Sequence, residues 1–233
     1  MKYRYILLDA DNTLFDFDAC EKNAFFLTMK ELSGLANEEM YTRYSELNQA
    51  CWNALEQGKL TQEELKVKRF EDLKKEFDIS SPADEINKHY IENLSKQNIL
   101  YPGAVEFVKK LSECFDLYII TNGLATVQEG RFRNNPLCPY LKNIFISEKI
   151  GASKPEKIFF DRVASQIDNF DPQYALVIGD SLTSDICGAN NAGIDCIWFN
   201  PKNKPCADEK IDYEVSNYEQ ILDILKQGDI HEN

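Results

Sequence analysis

Four short apolar runs, each ended by a polar cluster, organise this chain: residues 5–8, 117–120, 175–178 and 194–199. Runs of this length between turn residues predict strands buried on both faces, as in a parallel sheet. Residues 144–146, before Ser147, predict a fifth strand at the periphery. Between the runs the apolar spacing becomes helical. Residues 102–113 carry Val105, Val108 and Leu111 behind a proline suited to a first turn. Residues 155–166 repeat the form with Ile158, Phe159 and Val163, and residues 185–191 predict a short helix stopped by Gly193. Asn217 with Gln220 reads as a capping box, and Gly228 as the stop of that last helix. Strands alternating with helices predict an α/β fold built on a Rossmann-like, doubly wound parallel sheet.

Residues 16–97 break the alternation. Met40, Tyr44, Leu47, Cys51 and Leu55 form a helical stripe. Thr61 with Glu64 is a capping box, with Leu60 and Leu65 as its hydrophobic staple. Phe70, Leu73 and Phe77 continue a helical face, and Ser81-Pro82 opens another helix. The expected organisation is an all-helical cap over residues 16–97, inserted after strand 1 into a core of residues 1–15 and 98–233.

Length agrees with that division, since 233 residues suit one core domain plus a smaller insert. A net charge of −13 repels polyanions, which argues against nucleic acid and anionic membrane surfaces as partners. A small phosphorylated metabolite remains possible if a local cation offsets the carboxylates. Seven cysteines without CxxC spacing predict reduced thiols and a cytoplasmic protein. Only His89 and His231 could join them in a zinc site, and Cys187 and Cys196 sit in apolar surroundings that predict core packing. The first apolar run is too short for a signal peptide, and no run approaches the ~20 residues of a membrane span.

Candidate chemistry collects where ligands bind in open α/β sheets, beyond the carboxyl ends of the strands. The clusters are Asp9/Asp11/Thr13, Thr121/Asn122/Gly123, Lys154 before Pro155, and Asp180/Asp185. Taken singly, each has a plain reading as a turn, a strand exit, a solvated lysine or a helix start. Three of the four directly follow buried-strand candidates, and that placement favours a shared site. A phosphomonoester repels an incoming carboxylate, and hard oxygen ligands such as Asp9 and Asp180 can hold Mg²⁺ to screen that repulsion. One carboxylate can then attack phosphorus. A second, two residues on, can protonate the leaving alcohol and later activate water. A hydroxyl, backbone amides and a lysine can gather the other phosphate oxygens.

These motifs, from Asp9-Ala10-Asp11-Asn12-Thr13 through Thr121-Asn122-Gly123 and Lys154-Pro155 to Gly179-Asp180 with Asp185, resemble the four motifs of the haloacid-dehalogenase-like hydrolases. The resemblance covers nearly the whole chain, helical cap included. It implies Asp9 as nucleophile and Asp11 as general acid/base, with the Asp11 backbone carbonyl also on Mg²⁺. It implies Thr121, with the Asn122 and Gly123 amides, as phosphate ligands, and Lys154 as the cation steadying nucleophile and phosphate. Asp180 would complete the metal site, with Asp185 a direct or outer partner. The family's 2-haloacid dehalogenases lack the second aspartate of the first motif, so Asp11 favours a phosphatase. Residues 8–15, 120–123, 146–151 and 184–188, with Arg69-Phe70 in the cap, look like the intracellular nucleotidases acting on pyrimidine 5′-monophosphates.

The expected activity is therefore Mg²⁺-dependent hydrolysis of a small phosphomonoester, with a nucleoside 5′-monophosphate as substrate. A sugar-phosphate phosphatase or phosphomutase, a dehalogenase, and a phosphate-binding module without turnover are the alternatives. Arg69 is a candidate for a substrate anion, against the plainer reading of a solvated helix arginine. Trp52 is read as cap packing or as a base-stacking ring. Arg131 and Arg133 are read as surface residues, and His89 and His231 as structural or tail residues.

Overall fold

The computed structural model describes residues 2–206 and 210–227. The chain divides into two compact units, Met1–Phe17 with Ile99–Asn233, and Asp18–Asn98. The sequence expectation placed its boundaries at 15/16 and 97/98, against 17/18 and 98/99 here.

The first unit is built on a six-stranded sheet of order β3-β2-β1-β4-β5-β6. Its strands are β1 (Tyr5–Leu8), β2 (Asp116–Thr121), β3 (Asn143–Ile146), β4 (Ala175–Gly179), β5 (Asp195–Phe199) and β6 (Tyr213–Val215). All pairings are parallel. β1 lies between β2 and β4, with Leu8 opposite Ile119 on one side and Ile178 on the other. The chain runs outward from β1 through β2 to β3, then returns to add β4, β5 and β6 on the opposite side. This reversal opens a crevice at the carboxyl edge of β1, the usual ligand position in such sheets. β6 was not foreseen, because a three-residue strand with Tyr213 and Glu214 exposed leaves no apolar run to read.

The second unit contains α1 (Phe17–Ser33, from Asp18 onward), α2 (Glu38–Glu56), α3 (Gln62–Lys74) and α4 (Ala83–Ser95). Asn37 caps α2 by accepting from the Met40 amide at 2.8 Å. Thr61 and Glu64 form the reciprocal capping box at the start of α3. The core of this unit is aromatic: Tyr44 stacks on Phe25 at 4.6 Å and on Phe70 at 5.3 Å between ring centroids. Among the described residues no helix is long and apolar enough to cross a membrane.

In the sheet unit, α5 (Ala104–Ser112), α6 (Ala125–Phe132), α7 (Ser147–Ile150), α8 (Lys157–Ala164) and α9 (Cys187–Ala192) lie between strands, and α10 (Tyr218–Gln227) follows β6. Side chains alternate across β1, so two separate cores form. Ile6 and Leu8 join Phe107, Val108, Leu111 and Ile221 of α5 and α10. Tyr5 and Leu7 join Phe159, Phe160, Val163 and Ala189 of α8 and α9. The helix expected over residues 185–191 starts later, because Leu182–Ile186 forms one wide π-type turn that carries Asp185. At α10, Asn217 caps the Gln220 amide at 3.0 Å, while the Gln220 side chain returns to the Ser216 amide rather than to that of Asn217. Gly228 lies outside the described residues.

α8 and α9 approach closely at Gly188. A Cβ there would stand 2.6 Å from a Phe160 ring carbon and 3.2 Å from the Pro155 Cα. Gly188→Ala is expected to destabilise the protein by about 1–3 kcal/mol through overpacking, despite alanine's better helix propensity. Thermal melting should show a fall of about 2–4 °C per kcal/mol.

Candidate active site

Asp9 follows β1 directly. Its amide donates to the Ile178 carbonyl at 2.9 Å, so backbone pairing with β4 continues to the residue itself. Its carboxylate is buried, with Oδ1 accepting from Lys154 Nζ at 2.7 Å and Oδ2 from Thr13 Oγ1 at 3.0 Å. Thr13 reaches back because the following loop turns tightly. The Leu14 and Phe15 amides both donate to the Ala10 carbonyl at 2.9 Å, and Asn12 takes a left-handed φ of 59°. Asparagine tolerates that conformation better than most residues. The Tyr218 hydroxyl donates to the Thr13 carbonyl at 2.7 Å, and its ring stacks on Phe107 and Phe199. Tyr218 thus ties the loop to α10, a role its place beside a capping residue did not disclose.

Lys154 is almost fully buried, and its three ammonium donors are satisfied by Asp9 Oδ1, Asp185 Oδ1 at 2.6 Å and the Ile120 carbonyl at 3.0 Å. The Asn122 side chain fixes the lysine backbone, donating to the Lys154 carbonyl at 2.8 Å and accepting from its amide at 2.9 Å. Thr121 is buried at the end of β2, and its hydroxyl oxygen accepts from the Gly123 amide at 3.0 Å. Burial alone would push the Lys154 ammonium down, yet Asp185 and Asp9 hold it above the usual lysine value.

Asp185 accepts from the Ser181 amide at 3.1 Å through its other oxygen. Its carboxyl group passes over Gly179, where any Cβ would collide with it. Asp180 accepts from Lys204 Nζ at 3.1 Å, and its carbonyl accepts from Trp198 Nε1 at 2.9 Å. Asn200 sets the position of that half-exposed lysine, accepting from the Lys204 amide at 2.8 Å and donating to its carbonyl at 3.0 Å.

Oxygens of Asp9, Asp180 and Asp185 all lie within 4.8 Å of one another. Desolvation, followed by the charge of Asp185, pushes Asp9 up to about 7. Desolvation and then Asp9 push Asp180 up to about 6, and burial also raises Asp185. Three carboxylates around one buried ammonium leave an excess of negative charge, and a hard divalent cation such as Mg²⁺ suits that donor set.

The Asp11 side chain lies outside this trio. Arg131 donates to its Oδ1, and Gln128 Nε2 to its Oδ2 at 2.7 Å. The expectation of Arg131 on the surface is therefore corrected: it is 1% exposed, while Arg133 is exposed as expected. A polar pair three residues apart on one face of a short helix was the missed signal. Gly123 belongs to the same arrangement, because a Cβ there would collide with Gln128.

Arg69 lies in the other unit and is not solvated. Nη1 donates to Asn48 at 3.0 Å and Nη2 to Asn87 at 2.9 Å, and the guanidinium sits 4.7 Å from the Tyr90 ring centroid. Within the sheet unit, the structure brings together Asp9, Asp11, Thr121, Asn122, Gly123, Lys154, Asp180 and Asp185. Trp52 is half-buried on α2, and His89 lies 3.3 Å from Glu31. His231 falls outside the described residues.

Residues 6–199 match the haloacid dehalogenase-like hydrolase family, and the chain belongs to it. It is 38% identical to the pyrimidine 5′-nucleotidase PynA of Streptococcus pneumoniae, over 98% of this chain and 97% of that one. It is 31% identical to the pyrimidine 5′-nucleotidase YjjG of Escherichia coli, over 88% and 89% of the two chains. The crystal structure of YfnB from Bacillus subtilis, bound to magnesium, superposes with a TM-score of 0.92 at 37% identity, covering 97% of this chain and 99% of that one.

The raised values of Asp9 and Asp180 carry a consequence for stability. Between pH of about 4 and about 7 the folded state binds protons that the unfolded chain has released, so stability without a cation falls as pH rises and then levels off. In chelator, the protein should melt lower near pH 7.5 than near pH 5.5, and Asp180→Asn should narrow that gap. An equal gap in wild type and variant would contradict the assignment.

Proposed function

From that family membership, we propose that the protein is a Mg²⁺-dependent phosphohydrolase of nucleoside 5′-monophosphates, working through an aspartyl-phosphate on Asp9. The observation that carries this reading is the buried Asp9 carboxylate, held by Lys154 and Thr13 beside Asp180 and Asp185. The nucleotide preference rests on the similarity to PynA and YjjG, and the metal on the donor set together with the magnesium-bound YfnB structure.

Asp9, Asp180 and Asp185, with the Asp11 carbonyl, would hold Mg²⁺, which when bound screens carboxylate from phosphate and withdraws charge from the phosphoryl oxygens. An Asp9 oxygen attacks phosphorus, and the ester P–O bond breaks. The departing alcohol oxygen takes a proton from Asp11. Asp11 then takes a proton from water, whose oxygen attacks the phosphorus. The bond to Asp9 breaks, leaving inorganic phosphate and a free carboxylate. Lys154 orients Asp9 and offsets charge gathering on the phosphoryl oxygens, and Thr121 with the neighbouring amides receives those oxygens.

Phosphate release from pyrimidine and purine 5′-monophosphates, sugar phosphates and p-nitrophenyl phosphate tests the reading. Release should need Mg²⁺ and fall by at least about a thousandfold in Asp9→Asn. Asp11→Asn should lose about a hundredfold or more on nucleotides, the usual range for a general acid–base. A preference for sugar phosphates would remove the nucleotidase claim and leave the phosphatase. Turnover surviving in Asp9→Asn would remove the mechanism itself.

A further inference from the structure

The structure treats its two motif-one carboxylates differently. Asp9 is held by groups of the metal and phosphate region. Asp11 is held from α6 by Arg131 and Gln128, one donor to each oxygen. Both donors are at least 99% buried, whereas the Asp11 side chain keeps 23% of its surface open.

Three features anchor the donors. The Arg131 guanidinium lies 4.0 Å from the Phe15 ring centroid, stacked on the loop that bears Asp11. Asn135 donates to the Arg131 carbonyl at 3.1 Å and accepts from the Leu137 amide at 3.0 Å, fixing the last turn of α6. Gly123 leaves the space through which Gln128 passes.

We infer that Gln128 and Arg131 are positioning residues for Asp11, fixing the carboxyl group that exchanges protons in both half-reactions. The inference rests on the phosphohydrolase reading above. With a donor on each oxygen, the carboxylate is an acceptor whose remaining lone pairs are aimed by two buried anchors. That posture suits receiving a proton from water. Removing the clamp therefore slows each step that moves a proton through Asp11, and where the leaving group needs no proton that step is hydrolysis of the aspartyl-phosphate alone.

p-Nitrophenyl phosphate separates the two steps, because its leaving group departs without a proton. For Arg131→Met, kcat and KM should fall together by about tenfold, leaving kcat/KM within about twofold of wild type, while acid-trapped aspartyl-phosphate rises. Gln128→Met should move in the same direction by less, and Arg131→Lys should restore part of kcat. Damaged packing predicts something else: kcat/KM falling with kcat, and less trapped phosphoenzyme. That result, or unchanged partitioning in both Met variants, overturns the inference. If thermal melting shows Arg131→Met unfolded, Gln128→Met decides alone. Failure of the underlying reading looks different again, since wild type would then trap no phosphoenzyme and Asp9→Asn would retain turnover.

Discussion

A single buried ammonium holds this site together. Lys154 stands between Asp9 and Asp185, and burying an ammonium among apolar strands without partners would cost several kcal/mol. Its neighbours account for all three of its donors, and much local structure follows from keeping them in place. Asn122 grips the lysine backbone from the end of β2. Gly179 leaves room for Asp185 to reach over from the turn after β4. Parallel strands with matched register put these groups at one level, so the sheet's geometry becomes the site's geometry.

Lys154 does not neutralise its surroundings. Two carboxylates touch the ammonium and a third lies close by, so burial and mutual repulsion raise all three. Half-exposed Lys204 relieves only Asp180. Under the proposed function such a site would favour a divalent cation over a bare anion, and the cation would let a chain of net charge −13 take a phosphorylated substrate. Cation and phosphate would then favour one another's binding, because their opposite charges attract and the coupling is reciprocal.

The sheet and its motif clusters were legible because the relevant signals are local and short. Fully buried β1 admits only apolar residues, so its end at Asp9 shows in the sequence. Thr61 and Glu64 announce α3 because a capping box needs only four residues. What was hidden depends on long-range contact. Arg131 reads as a surface charge until Asp11, 120 positions away, supplies its partner. Tyr218 reads as a helix opener until its hydroxyl meets Thr13, and β6 as a loop until β5 lies beside it. Arg69 belongs with them, since the asparagines that accept its protons lie 18 and 21 residues away on two other helices.

The same distinction separates chemistry from specificity. Asp9, Thr121 and Asp180 stand at the carboxyl ends of β1, β2 and β4, and the parallel sheet makes such positions predictable. Groups that recognise the rest of a substrate face no comparable constraint. In the helical unit, Glu21, Asn48, Arg69 and Asn87 are buried polar residues that mainly bond one another, with Tyr44 and Tyr90. Such a network specifies the packing of its own helices, and its composition resembles what a base-binding pocket would also use. Burial, partner and geometry separate these roles, and residue type alone does not. For that reason, similarity to nucleotidases supports the substrate class here more strongly than any single cap residue does.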